Sequence, residues 1–92
     1  MIVRLVKMVF KESEIDNFKL IFESAQSKIV LVQGCLKVDL RQDIEQTEIF
    51  FTISHWEGEN DLENYRKSEL FINIWKQVKP FFKEKAEAWS LT

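Results

Sequence analysis

Ninety-two residues, 46% of them apolar, are the length of one domain, and such a chain buries only about two-thirds of its unfolded surface. A formal net charge of −2, with acids and bases mixed along the chain, carries no electrostatic footprint for nucleic acid. The opening MIVRLVKMVF is too short and too charged for a signal segment or a membrane span, and the one cysteine, Cys35, excludes an internal disulfide and a Cys/His zinc cluster. These properties predict a single domain over residues 1–92, cytoplasmic, with no membrane and no nucleic-acid partner.

Residues 2 to 10 read as a first strand, with Arg4 and Lys7 interrupting a β-rich apolar run on opposite faces. Ser13 is placed to cap a helix, with Glu14 and Asp16 in its first turn. Ile15, Phe18, Phe22, Ala25 and Ile29 recur at helical spacing, so the spacing predicts a helix over 14 to about 30. Gln33-Gly34 breaks it, and Cys35 to Leu40 alternates as a half-buried strand. Arg41 to Thr47 is polar and suits a hairpin loop, with Glu48 to Trp56 as the second arm. Asn60 and Glu63 have the spacing of a capping box for a second helix through Leu62, Tyr65, Phe71, Ile74, Trp75 and Val78, which Pro80 ends. Glu87 to Thr92 reads as a last, short strand.

The order β-α-β-β-α-β is the α+β, ferredoxin-like arrangement: an antiparallel sheet with both helices on one face. The third strand carries Ile49, Phe51 and Ile53 on one side and Phe50 and Trp56 on the other, so its uncovered face is apolar as well. That surface needs a partner, and a second copy of the chain supplies it most simply. A homodimer is predicted.

On these elements the chain resembles the antibiotic biosynthesis monooxygenase family. The resemblance rests on Gly34-Cys35, Phe50-Phe51-Thr52, Trp56-Glu57 and Leu62-Glu63-Asn64-Tyr65-Arg66. It continues through Ser68-Glu69-Leu70-Phe71, Trp75, Lys79 with Phe82, and Ala88-Trp89-Ser90. It implies a dimeric α+β barrel with a pocket in each subunit between the sheet and its helices. Cofactor-free members oxidise phenolic or quinol-like aromatics with molecular oxygen, the deprotonated substrate itself supplying the electrons. The protein then has to bind the aromatic, favour its anion and exclude water. Haem-degrading relatives carry a helix His and a first-strand Asn. Here the first strand has no Asn, and Tyr65 stands where the helix His would be. No cofactor is therefore expected, and haem least of all.

Candidate site residues follow. Trp56, at the mouth of such a pocket, either stacks on a flat ligand and donates its indole N–H, or anchors the second helix with that N–H on a loop carbonyl. Tyr65 either bonds a phenol oxygen or lies with its hydroxyl at the surface; Arg66 either stabilises a phenolate or is a solvated or dimer-rim charge. Arg4 either pairs with Asp39 or Glu48 across the sheet or presents charge to the pocket. His55 is the one side chain whose ordinary pKa suits a general base at neutral pH, but alternation turns it to the face opposite Trp56, which favours a structural place. Cys35 reads as a small buried hydrophobe. Together these predict a cofactor-independent monooxygenase for a small aromatic or quinone-like molecule, using Trp56, Tyr65 and Arg66. The alternative is a binding or sensing dimer on the same fold.

Overall fold

The computed structural model describes residues 1–92. Four strands, β1 (Ile2–Phe10), β2 (Cys35–Gln42), β3 (Ile49–Trp56) and β4 (Phe82–Leu91), form one antiparallel sheet in the order β2-β3-β1-β4. Helix α1 (Ile15–Ile29) joins the first two strands, and α2 (Glu59–Arg66) with α3 (Glu69–Val78) joins the last two. This is the ferredoxin-like βαββαβ arrangement, with the second helix in two pieces.

Alternation along each strand decides which side chains meet the helices. Met8 and Phe10 of β1, Val38 of β2, and Phe50 and Trp56 of β3 share one buried cluster with Phe18, Phe22, Ala25 and Ile29 of α1, Leu62 of α2 and Val78 of α3. Aromatic rings dominate it: Phe10 stacks on Phe18 at 4.0 Å between centroids, and Phe50 meets both edge-on at 5.6 and 5.3 Å. Each fully buried ring stabilises the fold by roughly 1.5–3 kcal/mol, so this cluster is the main tie between α1 and the sheet. The odd-numbered residues lie on the other face. There the register sets Leu5 between Ile53 and Trp89, and Val3 between His55 and Leu91.

Four local expectations need correction. Ser13 does not cap α1; residues 12–14 form a 3-10 turn that feeds the helix, with the Glu14 N–H donating to the Lys11 carbonyl at 2.9 Å. Asn60 is no cap either, because α2 starts one residue earlier, at Glu59, with extended Gly58 before it. The long second helix is broken at Lys67-Ser68. Ser68 is the N-cap of α3, its Oγ accepting from the Phe71 N–H at 3.2 Å and donating to the Tyr65 carbonyl at 2.6 Å. Finally, β4 begins at Phe82, five residues ahead of the predicted start. Its Lys-Glu-Lys-Ala-Glu run is poor in β-formers but suits an exposed edge strand, where charge discourages pairing with a foreign strand.

One glycine is tied to the helix-α2 corner. Gly34 holds φ +84, and a Cβ built there would come within 2.2 Å of the Asp61 side chain. Its carbonyl accepts from the Glu57 N–H at 2.8 Å, so the start of β2 is fastened to the end of β3 directly below α2.

Candidate functional site

Between the helix-facing side of the sheet and the α2–α3 elbow lies a cavity of about 990 Å³. Sixteen of its twenty-five lining residues are apolar, so its bulk suits a hydrophobic body of drug-like size rather than a sugar or nucleotide. Val6, Met8 and Val38 form the sheet wall, and Phe71, Ile74 and Trp75 of α3 stand opposite. The α2–α3 break makes this wall: α3 leaves the line of α2 at Ser68 and brings Phe71 edge-on to Tyr65 at 5.2 Å.

Trp56 lies at the floor of the cavity, not at its mouth, and is wholly buried. Its indole N–H donates to Ser54 Oγ at 2.9 Å, and its ring stacks on Tyr65 at 5.0 Å with 25° between planes. The partner of the N–H is therefore a strand hydroxyl rather than a loop carbonyl. One face of the indole is occupied by tyrosine, and its polar neighbours are Tyr65 and Ser54. Tyr65 lines the cavity from α2 and is half-buried, not surface-directed. Burial, with a smaller contribution from Cys35, pushes its hydroxyl well above the usual tyrosine range. It is a hydrogen-bond donor at neutral pH and a poor base.

Arg66 also lines the cavity, with its guanidinium 3.5 Å from Glu63 one turn back. Arg4 meets neither Asp39 nor Glu48. Asp39 pairs with Lys37 at 3.4 Å and Glu48 with Lys83 at 3.0 Å. Arg4 is instead on the cavity side of β1, where its Nη1 donates to Ser90 Oγ at 3.0 Å. Burial and the charge of Arg66 lower its pKa, and Glu63 offsets part of that. It remains a cation at any physiological pH.

His55 projects from the other side of β3, next to Val3 and Lys37 in register, with its Nδ1 buried and without a hydrogen-bond partner. It does not share the cavity with Trp56, Tyr65 and Arg66. Cys35 is half-buried beside Trp56 in register, and burial raises its thiol pKa. No group of three or more His, Cys, Asp or Glu side chains is gathered anywhere that could hold a metal ion. No helix is long and apolar enough to cross a membrane. The residues that sequence reasoning passed over are Ser54, which orients the indole, and Ser68, which turns the elbow. Ser54 could have been found by alternation, since it shares the Trp56 face.

Comparison with known proteins agrees with the fold and the resemblance. The family described as Antibiotic biosynthesis monooxygenase matches residues 1–77. A crystal structure of an antibiotic biosynthesis monooxygenase is similar at TM-score 0.93 and 17% identity, over 100% of this chain and 97% of that one. A conserved protein from Methanosarcina mazei Go1 is similar at TM-score 0.92 and 21% identity, over 99% and 91% of the two chains. Rv0793 from Mycobacterium tuberculosis is similar at TM-score 0.91 and 12% identity, over 99% and 92%. At such identities these structures establish a shared fold and nothing finer. No curated protein matches the chain.

Proposed function

The chain belongs to the antibiotic biosynthesis monooxygenase family, and on that premise we propose that it is a cofactor-independent monooxygenase for a small phenolic or quinol-like aromatic. The observation that carries this reading is the apolar cavity of about 990 Å³ with the Tyr65 hydroxyl and the Arg66 guanidinium on its lining. The aromatic body lies against Phe71 and Trp75. The phenol oxygen faces Tyr65 and Arg66, and Trp56 holds the Tyr65 ring in place from beneath. The Arg66 cation near a phenol oxygen favours the phenolate over the phenol, and a water-poor surround strengthens that attraction. The electron-rich anion then gives electrons to O₂. One oxygen atom enters the ring and the other leaves as water, so the substrate supplies every electron.

A haem does not fit this lining. The cavity presents no imidazole, since His55 is on the opposite face, and burial keeps the Tyr65 hydroxyl protonated. We propose further that the chain is a homodimer closed over the odd-numbered sheet face, where Trp89 and Leu91 are 41% and 45% exposed in one copy. The unpaired thiol of Cys35 suits a reducing compartment, and we place the dimer in the cytoplasm.

A second reading, a binding module without turnover, draws on the poor basicity of Tyr65 and the absence of any His from the cavity. 1-Naphthol separates the two. Both readings expect it to quench tryptophan fluorescence saturably. Only the oxygenase consumes O₂ above the rate of the buffer blank, and quenching without consumption would leave the binding module.

A further inference from the structure

Arg4 has no counter-charge of its own. Across the sheet it stands between Ser54 and Ser90 in register, on the cavity side. A guanidinium offers five N–H groups, and the one side-chain acceptor it meets is Ser90 Oγ. None of the four ion pairs in the chain includes it. The acid that acts on its charge is Glu63, already shared between Arg66 at 3.5 Å and Lys67 at 3.7 Å. Ser54, its neighbour across the strand pair, has an Oγ that already accepts the Trp56 indole N–H and keeps its own proton to donate, and the Tyr65 hydroxyl on the same cavity lining is held protonated by burial. One end of an otherwise apolar cavity is thus rich in donors and positive charge.

We propose that the ligand of this cavity carries a carboxylate, seated on the Arg4 guanidinium with the Ser54 hydroxyl, while its aromatic body fills the apolar part. The inference rests on the aromatic-ligand reading above and adds the charge of that ligand. A planar carboxylate matches the guanidinium fork with two parallel hydrogen bonds. A phosphate monoester is the poorer fit. Arg66 is paired with Glu63 at 3.5 Å, which leaves Arg4 as the unpaired guanidinium of this end, and the single charge of one carboxylate answers it.

The test is anaerobic equilibrium binding, followed by tryptophan fluorescence, of 1-hydroxy-2-naphthoic acid (in which the acid adjoins the phenol oxygen), its primary amide and 1-hydroxy-2-naphthyl phosphate. The acid should bind about tenfold or more tightly than the amide, as expected of a charge-assisted pair. Added NaCl should weaken the acid and not the amide. Arg4→Gln should remove the preference while leaving amide binding unchanged, and Arg4→Lys should keep part of it. A purely structural Arg4 would weaken acid and amide alike in the variant. If Arg4→Gln does not fold, the salt series on the natural protein and the Arg4→Lys comparison decide. Equal affinity for acid and amide, a preference that survives Arg4→Gln, or tighter binding of the phosphate would each overturn the proposal. Because no oxygen is present, a preference for the acid stands even if 1-naphthol is never oxidised. Conversely, oxidation of 1-naphthol with no acid preference would sink this inference alone.

Discussion

Replacing Trp56 by Phe probes the floor of the cavity with the least disturbance elsewhere. The indole is 0% exposed, donates to Ser54 Oγ at 2.9 Å and stacks on Tyr65 at 5.0 Å. Phenylalanine keeps a ring against Tyr65 but loses the N–H and leaves a gap where the second ring lay. The hydrogen bond is worth about 1 kcal/mol net. The unfilled space costs about 1–2 kcal/mol more. The expected loss is therefore about 2–3 kcal/mol, a large share of the roughly 5–15 kcal/mol of a domain this size. Urea unfolding followed by circular dichroism reads it as a midpoint lowered by about 1–3 M, given a slope of about 1–2 kcal/mol per M. Natural protein and variant must be compared at one protein concentration, since a dimer's midpoint moves with concentration. With Tyr65 held less firmly by the smaller, unanchored ring, O₂ uptake with 1-naphthol should fall as well. A midpoint shifted by less than about 0.3 M would refute the anchoring account. Unchanged uptake would refute the role of the Trp56–Tyr65 pair in the site.

Tyr65 is the one tyrosine of the chain, so its ionisation can be read directly from absorbance near 295 nm. In the native protein it should titrate well above its usual value of 10.0, and in denaturant near it, whereas tyrosinate at pH 10 under native conditions would contradict its burial. The sign follows for stability: the folded-state pKa is raised, so this contribution is complete below the unfolded value and declines as pH rises beyond it, a decline that Tyr65→Phe should abolish. Ser68→Ala should cost about 1 kcal/mol by loss of the α3 cap, and it should weaken 1-naphthol binding because the elbow that sets Tyr65 loosens; thermal melting and fluorescence titration check the two effects. Gly34→Ala combines a positive φ with a Cβ that meets both Cβ and Cγ of Asp61, and should destabilise by more than the roughly 1 kcal/mol of the backbone conformation alone; Asp61→Ala in the same chain should recover little of the excess, as read by urea midpoint, because the clash with the Cβ at that position remains.

Most of the fold could be read from periodicity because its elements have strong local signals. The Ile15–Phe18–Phe22–Ala25–Ile29 stripe is a 3.6-residue repeat, and the two-sided apolar run of β3 has no other reading. The break at Ser68 was hidden because Tyr65, Phe71, Ile74 and Trp75 keep helical spacing on both sides of it. Only a serine followed by an acid marks the cap, and that pair is common inside helices. The start of β4 was hidden for the opposite reason: Lys, Glu and Ala obscure a strand whose place is settled by pairing with β1. In the site, Trp56, Tyr65 and Arg66 are brought to one cavity and His55 is kept from it, as alternation and helical spacing imply. That Trp56 sits at the floor depends on its stacking with Tyr65 across elements. The isolation of Arg4 depends on where Asp39 and Glu48 find their lysines. Neither is a local property of the chain.

The most direct test of the oxygenase reading is the fate of labelled oxygen. Purified protein, dialysed against chelator, is incubated with 1-naphthol under ¹⁸O₂ and the product analysed by mass spectrometry. Monooxygenation predicts 1,4-naphthoquinone with one ¹⁸O atom, the other appearing in water, one O₂ consumed per quinone, and a rate reduced in Tyr65→Phe. Binding of 1-naphthol with no labelled quinone and no O₂ consumed would contradict the account.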